Sequence, residues 1–297
     1  MYRLVLICLL LCMGCQEKEP CDYIEDYYQD VYEAELAYWE KDYQKAYDVL
    51  KQVKSRCGLL NQSLIREPEM MAKLSIKVGK PQAAFPYIER MLKEGMSFNS
   101  FVNNDTYNIL HEYEEWRYLE RNAARLATES NDGVNKELRE EIIAMNDLDQ
   151  KVLQAPVDDD EIRQVNTTHK KRIKEIFAAY GYPHAGLIGK PTMGERTEIK
   201  VLLMHFLEPE YFSPLLIEST RKGIAPPGYV GYIVDRKDLA ERDSFTYGIY
   251  DNVNASQIKD FKNLDKRRIS VGLPPWRLKK KVDSLRSAYT NYNLKSD

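Results

Sequence analysis

The sequence predicts a mainly α fold: N-terminal antiparallel helical-hairpin repeats, then a C-terminal α-rich domain containing a small β-hairpin. Three observations carry this prediction. Residues 22–127 contain almost no β-branched runs, and their apolar residues recur at helical spacing. Small residues (Ala34, Ala46, Ala72, Ala83, Ala84) fall where paired helices would cross. Beyond residue 225, two short segments rich in Tyr, Val and Ile read as strands joined by a charged connection.

In chain order, the first helical pair covers Tyr23–Glu40 and Tyr43–Arg56, with Ala34, Ala37, Trp39, Tyr43, Ala46 and Leu50 on apolar faces. The second covers Glu67–Val78 and Pro81–Glu94, divided by Gly79-Lys80-Pro81. A proline suits the first helical turn, where no N–H is required. A weaker third pair runs from about Asn104 to His111 and from Glu114 to Ala127. The period lies in the thirties, and the run from Trp39 to Tyr47 resembles tetratricopeptide repeats. A generic helical bundle fits the same pattern. Stacked repeats would present a concave surface for a peptide or protein partner.

Ser130-Asn131-Asp132-Gly133 marks the boundary at the end of the 22–130 region. A helix follows from Asn135 to Val152, with Leu138, Ile142, Met145 and Leu148 at helical spacing. Asp158-Asp159-Asp160 reads as solvated acids at a helix start, because the Gly and distal Glu of a calcium loop are missing. The helix Glu161–Tyr180 turns Ile173, Ile176, Phe177 and Tyr180 to one face and stops at Gly181-Tyr182-Pro183. Ile199–Leu207 reads as a buried helix, and Gly228–Arg236 with Thr246–Asp251 as the hairpin. The domain closes at Trp276, leaving a basic amphipathic helix, Arg277–Tyr292, in the tail 277–297.

The N-terminus carries an address. Arg3, the short apolar run Leu4–Met13, then Gly14-Cys15 before polar sequence form an export-signal pattern. The run is too short to span a bilayer, which takes about 20 apolar residues. Gly14-Cys15 resembles a bacterial lipobox, with Cys12 at a position where lipoboxes usually carry Leu. That resemblance implies a signal peptide, 1–14, and a lipid on Cys15, with 15–21 as tether and the membrane as partner. Gln16 after the cysteine favours the outer membrane. An ordinary cleaved signal with an unmodified Cys15 is the alternative.

Lys and Arg number 43 against 46 Asp and Glu, for a net charge of −3, which argues against a nucleic-acid partner. In an exported protein Cys21 and Cys57 could pair, because an antiparallel hairpin brings them to one end. The first helix looks too long for a bond unless the chain bends, so a disulfide and two buried thiols both remain open.

Asp149-Gln150, Gly181-Tyr182-Pro183, His205, Asp235-Arg236, Tyr247-Gly248, Asp265 and Arg267-Arg268 before Gly272-Leu273-Pro274 occur in an order and spacing that resemble the DUF 6624 family. This is a bacterial domain of unknown function, and the likeness covers roughly residues 136–276. The family pattern usually has polar residues where Leu153, Met204, Phe245, Ile249 and Tyr250 stand. The resemblance implies no reaction.

Residue types suggest one pocket. His205, Asp235 and Tyr247 are candidate catalytic groups, His205 as general base. Arg236, Asp265, Arg267 and Arg268 are candidate binding residues, with Arg236 and Arg268 taking an anion such as a phosphate or carboxylate. The competing reading makes His205 a hydrogen-bonded core residue and Asp235-Arg236 a structural ion pair to Arg267 or Asp265. His111, His169, His184 and His205 lack the companion spacing of a metal site, and no phosphate-binding glycine loop or nucleophile motif implies a cofactor. The expected function is an envelope lipoprotein acting as an interaction or scaffolding module through its repeats. The alternative is an enzyme or anion-binding domain around His205 and Arg236.

Overall fold

A computed structural model describes residues 21–60, 67–129, 133–154, 159–191 and 194–293. The expected signal segment 1–14 and Cys15 therefore lie outside the described residues, as do 130–132 of the boundary and Asp158.

Asp22 starts the first helix by accepting the Ile24 and Glu25 amides at 3.0 and 3.3 Å, which satisfies N–H groups that a helix start leaves unpaired. The helix α1 (Tyr23–Asp26) then breaks at Tyr27, whose φ and ψ are −133° and −62°, before α2 (Tyr28–Trp39) begins. The predicted single helix is thus two. Tyr27 is buried, and its hydroxyl accepts the Leu60 amide at 3.0 Å, so the ring is held inside the hairpin. Asp42 caps α3 (Tyr43–Cys57). The break removes the excess length of the first helix. Cys21 and Cys57 sit 5.3 Å apart at Cα and form a disulfide.

The second pair is α4 (Glu67–Lys77) and α5 (Phe85–Lys93), the latter entered through a 3-10 turn at Pro81–Ala84. In the third, α6 (Asn99–Val102) and a 3-10 segment Asp105–Glu112 precede α7 (Glu114–Thr128). Leu50, Met71, Leu74, Ile88, Met91, Leu92, Leu110 and Leu119 give the three pairs one continuous core.

The second region comprises α8 (Lys136–Gln154), α9 (Asp159–Tyr180), α10 (Ala185–Ile188), α11 (Lys200–Phe206), α12 (Pro209–Arg221), α13 (Gly228–Glu241), α14 (Leu264–Ile269) and α15 (Trp276–Asn293). Its core is built on Ile142, Ile173, Ile176, Leu202, Phe212, Leu216 and Val230.

The predicted β-hairpin is corrected. Among the described residues there is no strand; Gly228–Arg236 lies within α13, and 246–251 is irregular. A single isolated parallel bridge joins Phe245 to Ile258. Tyr, Val and Ile favour strands only where a pleated surface exists to receive them. Here Tyr229, Val230 and Ile233 are buried among helices, and Pro226-Pro227 precedes the helix start. Gly231 lets that helix approach its neighbours, since a Cβ would lie 3.2 Å from Ile249 and 3.3 Å from Leu273.

The two regions pack together along the first helical pair. Tyr32 donates to the Gly272 carbonyl at 2.9 Å, and Gln29 to that of Leu273 at 3.1 Å. Gly272, at φ +80°, leaves room for the Tyr28 ring, which would stand 2.9 Å from a Cβ there. The helix α15 lies on α2, joined by Arg286–Glu35 at 2.5 Å, Lys281–Glu40, and the Trp39 and Tyr289 rings. The Leu4–Met13 run being outside the described residues, no helix among those described is long and apolar enough to cross a membrane.

The disulfide closes a loop with a sequence separation of 36 residues, for which chain entropy implies about 3–4 kcal/mol. Cys57→Ser is expected to lower the urea midpoint accordingly, and dithiothreitol should shift the wild type to the same place.

Candidate functional site

Asp235, Tyr247, Asp265, Arg267 and Arg268 do come together, but their hydrogen bonds go to backbone. Asp235 is fully buried and accepts the amides of Tyr247 and Ile249 at 2.8 and 2.7 Å. Burial raises its carboxyl above the ordinary range, against the pull of those amides. One turn on, Asp238 accepts the Thr246 amide at 2.8 Å and Lys259 at 2.9 Å. From α14, Arg268 donates to the carbonyls of Pro274 and Tyr247, both at 2.6 Å. Arg267 reaches the carbonyls of Thr246 and Asp260 at 3.2 Å, and Asp265 accepts the Trp276 amide at 2.7 Å. Buried peptide groups must be paired. These side chains pair the irregular segment 246–251 as a neighbouring strand would have done.

Arg236 stands outside that network: no hydrogen bond or ion pair holds it among the described residues, and its charge acts on Tyr250. His205 also goes elsewhere. Its Nδ1 lies 2.7 Å from an oxygen of Asp149 on α8, and Gln150 donates to the other oxygen at 2.9 Å. His169, on α9, is buried beside the same carboxylate, with its Nδ1 unpartnered among the described residues. Burial would raise the Asp149 pKa, but the hydrogen bonds from His205 and Gln150 and the charges of both imidazoles bring it below the usual value. Burial pushes the His169 pKa down, only partly offset by Asp149. Among the described residues no three His, Cys or carboxylate groups are disposed to hold a metal ion.

Asp149 was missed as a site residue, although one signal pointed to it. It continues the stripe Leu138, Ile142, Met145 and is buried with them, whereas Leu148, assigned to that face, is 42% exposed. A carboxylate on an apolar stripe requires a partner.

A cavity of about 620 Å³ lies where the two regions meet, within the size range of small-molecule sites. Tyr28, Val31 and Tyr32 of α2 form one wall; Tyr229 and Tyr232 of α13 another; Leu278 and Val282 of α15 a third, with Arg268 between them. Most wall charges are already paired. Lys279 meets Asp251 at 2.9 Å and Asp283 at 2.5 Å, Arg286 meets Glu35, and the Tyr229 hydroxyl donates to Glu198 at 2.8 Å. Lys200 sits 4.6 Å from the centre of the Tyr232 ring. No local motif signals this cavity, because its walls come from α2, α13 and α15, which lie far apart in the chain.

The Asp149–His169 pair sets a pH dependence. Below the ordinary histidine pKa of about 6.5 the unfolded imidazole takes up a proton that folded His169 refuses, so stability falls with pH from there. The depressed Asp149 carboxyl adds a further loss at lower pH, as it is protonated. The thermal midpoint should therefore drop between pH 7 and 5, and His169→Gln should flatten that slope, as differential scanning fluorimetry across the range would register.

No family model, no curated protein and no solved structure matches the chain.

Proposed function

We propose that this protein is a lipid-anchored envelope protein that binds a small ligand in the cavity between its helical repeats and its C-terminal region. The observation that carries the reading is the cavity itself: about 620 Å³, walled by tyrosines and aliphatic side chains at the meeting of two regions. A protein partner on the first pair is the weaker reading, because α15 of the same chain packs on α2. The anchor rests on Leu4–Cys15 and its resemblance to a lipobox, and Gln16 favours the outer membrane. The succession of short motifs over residues 136–276 supports placing the second region with the DUF 6624 family, which supplies no reaction. His205, held by Asp149, does not line this cavity.

One observation favours a second reading, a protein partner on the third helical pair. Val102, Ile109 and Tyr118 are 41%, 53% and 43% exposed there. Ile109→Lys should abolish co-purification of such a partner from the native envelope, while leaving small-ligand binding intact.

Two measurements test the main proposal. Metabolic labelling with a palmitate analogue should mark the wild type and not Cys15→Ser, which should also leave the membrane fraction. Native mass spectrometry of protein released from its own envelope should show a bound small molecule, lost in Leu278→Trp, whose larger side chain intrudes into the cavity from the α15 wall. Unlabelled wild type rules out the anchor, and a ligand mass retained by Leu278→Trp rules out the cavity.

A further inference from the structure

We infer that the ligand of this cavity is a zwitterion, an α-amino acid with an apolar or aromatic side chain, its ammonium group bound by Glu198 and its carboxylate by Lys200. The inference rests on the ligand-binding reading above and adds the chemistry of what is bound.

The charges on the cavity wall leave one acid and one base over. Of the five acids there, Asp251 and Asp283 meet Lys279, Glu35 meets Arg286, and Glu67 is partnered as well. Glu198 is the exception. Among the described residues its one hydrogen bond comes from the Tyr229 hydroxyl, to Oε2 at 2.8 Å, and no cation lies within ion-pair distance. Of the four cations, Lys279 and Arg286 are taken by those acids. Arg268 is fully buried and held on the carbonyls of Pro274 and Tyr247, so it offers nothing to a ligand. Lys200 remains. It has no carboxylate within ion-pair distance among the described residues, and its ammonium rests 4.6 Å from the centre of the Tyr232 ring. A ring face answers an ammonium less fully than a carboxylate does.

Position lets one ligand use both groups. Each of the two side chains is half-buried, and so keeps surface that a ligand can reach. They stand two positions apart, which holds their backbones within about 7 Å, yet among the described residues they form no ion pair with each other. An α-amino acid carries its ammonium and its carboxylate on one carbon, so it can meet both at once. Each contact would be a charge-assisted hydrogen bond, the stronger kind. The charge balance of the wall fits a ligand without net charge: a simple anion would leave Glu198 unanswered, and a simple cation would leave Lys200 so. Tyr28, Val31, Leu278 and Val282 line the cavity as well and suit an apolar side chain.

Matched probes test this on the purified full-length chain by calorimetric titration: zwitterionic L-phenylalanine, phenethylamine, which lacks the carboxylate, and hydrocinnamate, which lacks the ammonium. L-Phenylalanine should bind about tenfold or more tightly than either. Glu198→Gln, whose amide oxygen can still accept from Tyr229, should bring L-phenylalanine down to the affinity of hydrocinnamate. Lys200→Gln should bring it down to that of phenethylamine. A wild type that binds either single-charge probe as tightly as L-phenylalanine overturns the zwitterion inference and leaves the ligand-binding reading standing. So does a preference that either variant fully retains. Binding of none of the three overturns the inference alone, since the ligand-binding reading is decided by the native mass measurement.

Discussion

The buried guanidinium of Arg268 is the constraint on which the rest of this structure turns. An irregular segment, 246–251, packs inside a helical protein without a sheet to pair its peptide groups. Arg268 takes the Tyr247 carbonyl from one side, and Asp235 takes the Tyr247 and Ile249 amides from the other. The same guanidinium holds the Pro274 carbonyl, and its helix neighbour Asp265 holds the Trp276 amide, so together they set where α15 begins. That start in turn aims α15 across α2, and the cavity is the space left beneath it. Removing the arginine would strip partners from two carbonyls at once, which is why this group is structural before it is anything else.

The junction is built around tyrosine. Tyr28 and Tyr32 reach across to the Ala225 and Gly272 carbonyls, each ring filling apolar space while its hydroxyl finds an acceptor. Glycine is required at position 272, because the turn there has positive φ and the Tyr28 ring occupies the place of a Cβ. The disulfide fastens the open end of the same hairpin. If Cys15 is acylated as proposed, it stands six positions before Cys21, and a tether at ~3.3–3.6 Å per residue reaches only about 20 Å. The first pair, and the cavity wall it forms, would then stay close to the membrane.

Asp149, His169 and His205 form a second buried polar centre, joining α8, α9 and α11 around one carboxylate. Its worth is conditional on protonation state. The carboxylate is favoured by the imidazoles beside it, whereas His169 is pressed toward neutrality by burial. A helical core that contains such a centre is stable near neutrality and loosens in acid.

The sequence by itself determined the helices. Periodicity and Gly/Pro punctuation located α3, α5, α7, α8, α9 and α15 to within a few residues, because those signals are local. Residue types also picked out Asp235, Arg267, Arg268 and Asp265 as a cluster. What they do was decided only in three dimensions. Tyr-Val-Gly-Tyr-Ile-Val has strand composition, yet it became helix because helices, not strands, surround it. The Tyr27 break that lets Cys21 meet Cys57 depends on a hydrogen bond to Leu60, far along the chain. Asp149 and His205 lie 56 positions apart and meet through helix packing. The cavity is made by residues from Tyr28 to Arg286. Local propensity fixes backbone conformation one turn at a time, whereas a carboxylate's partner or a cavity's wall belongs to whichever surfaces the packed helices bring together.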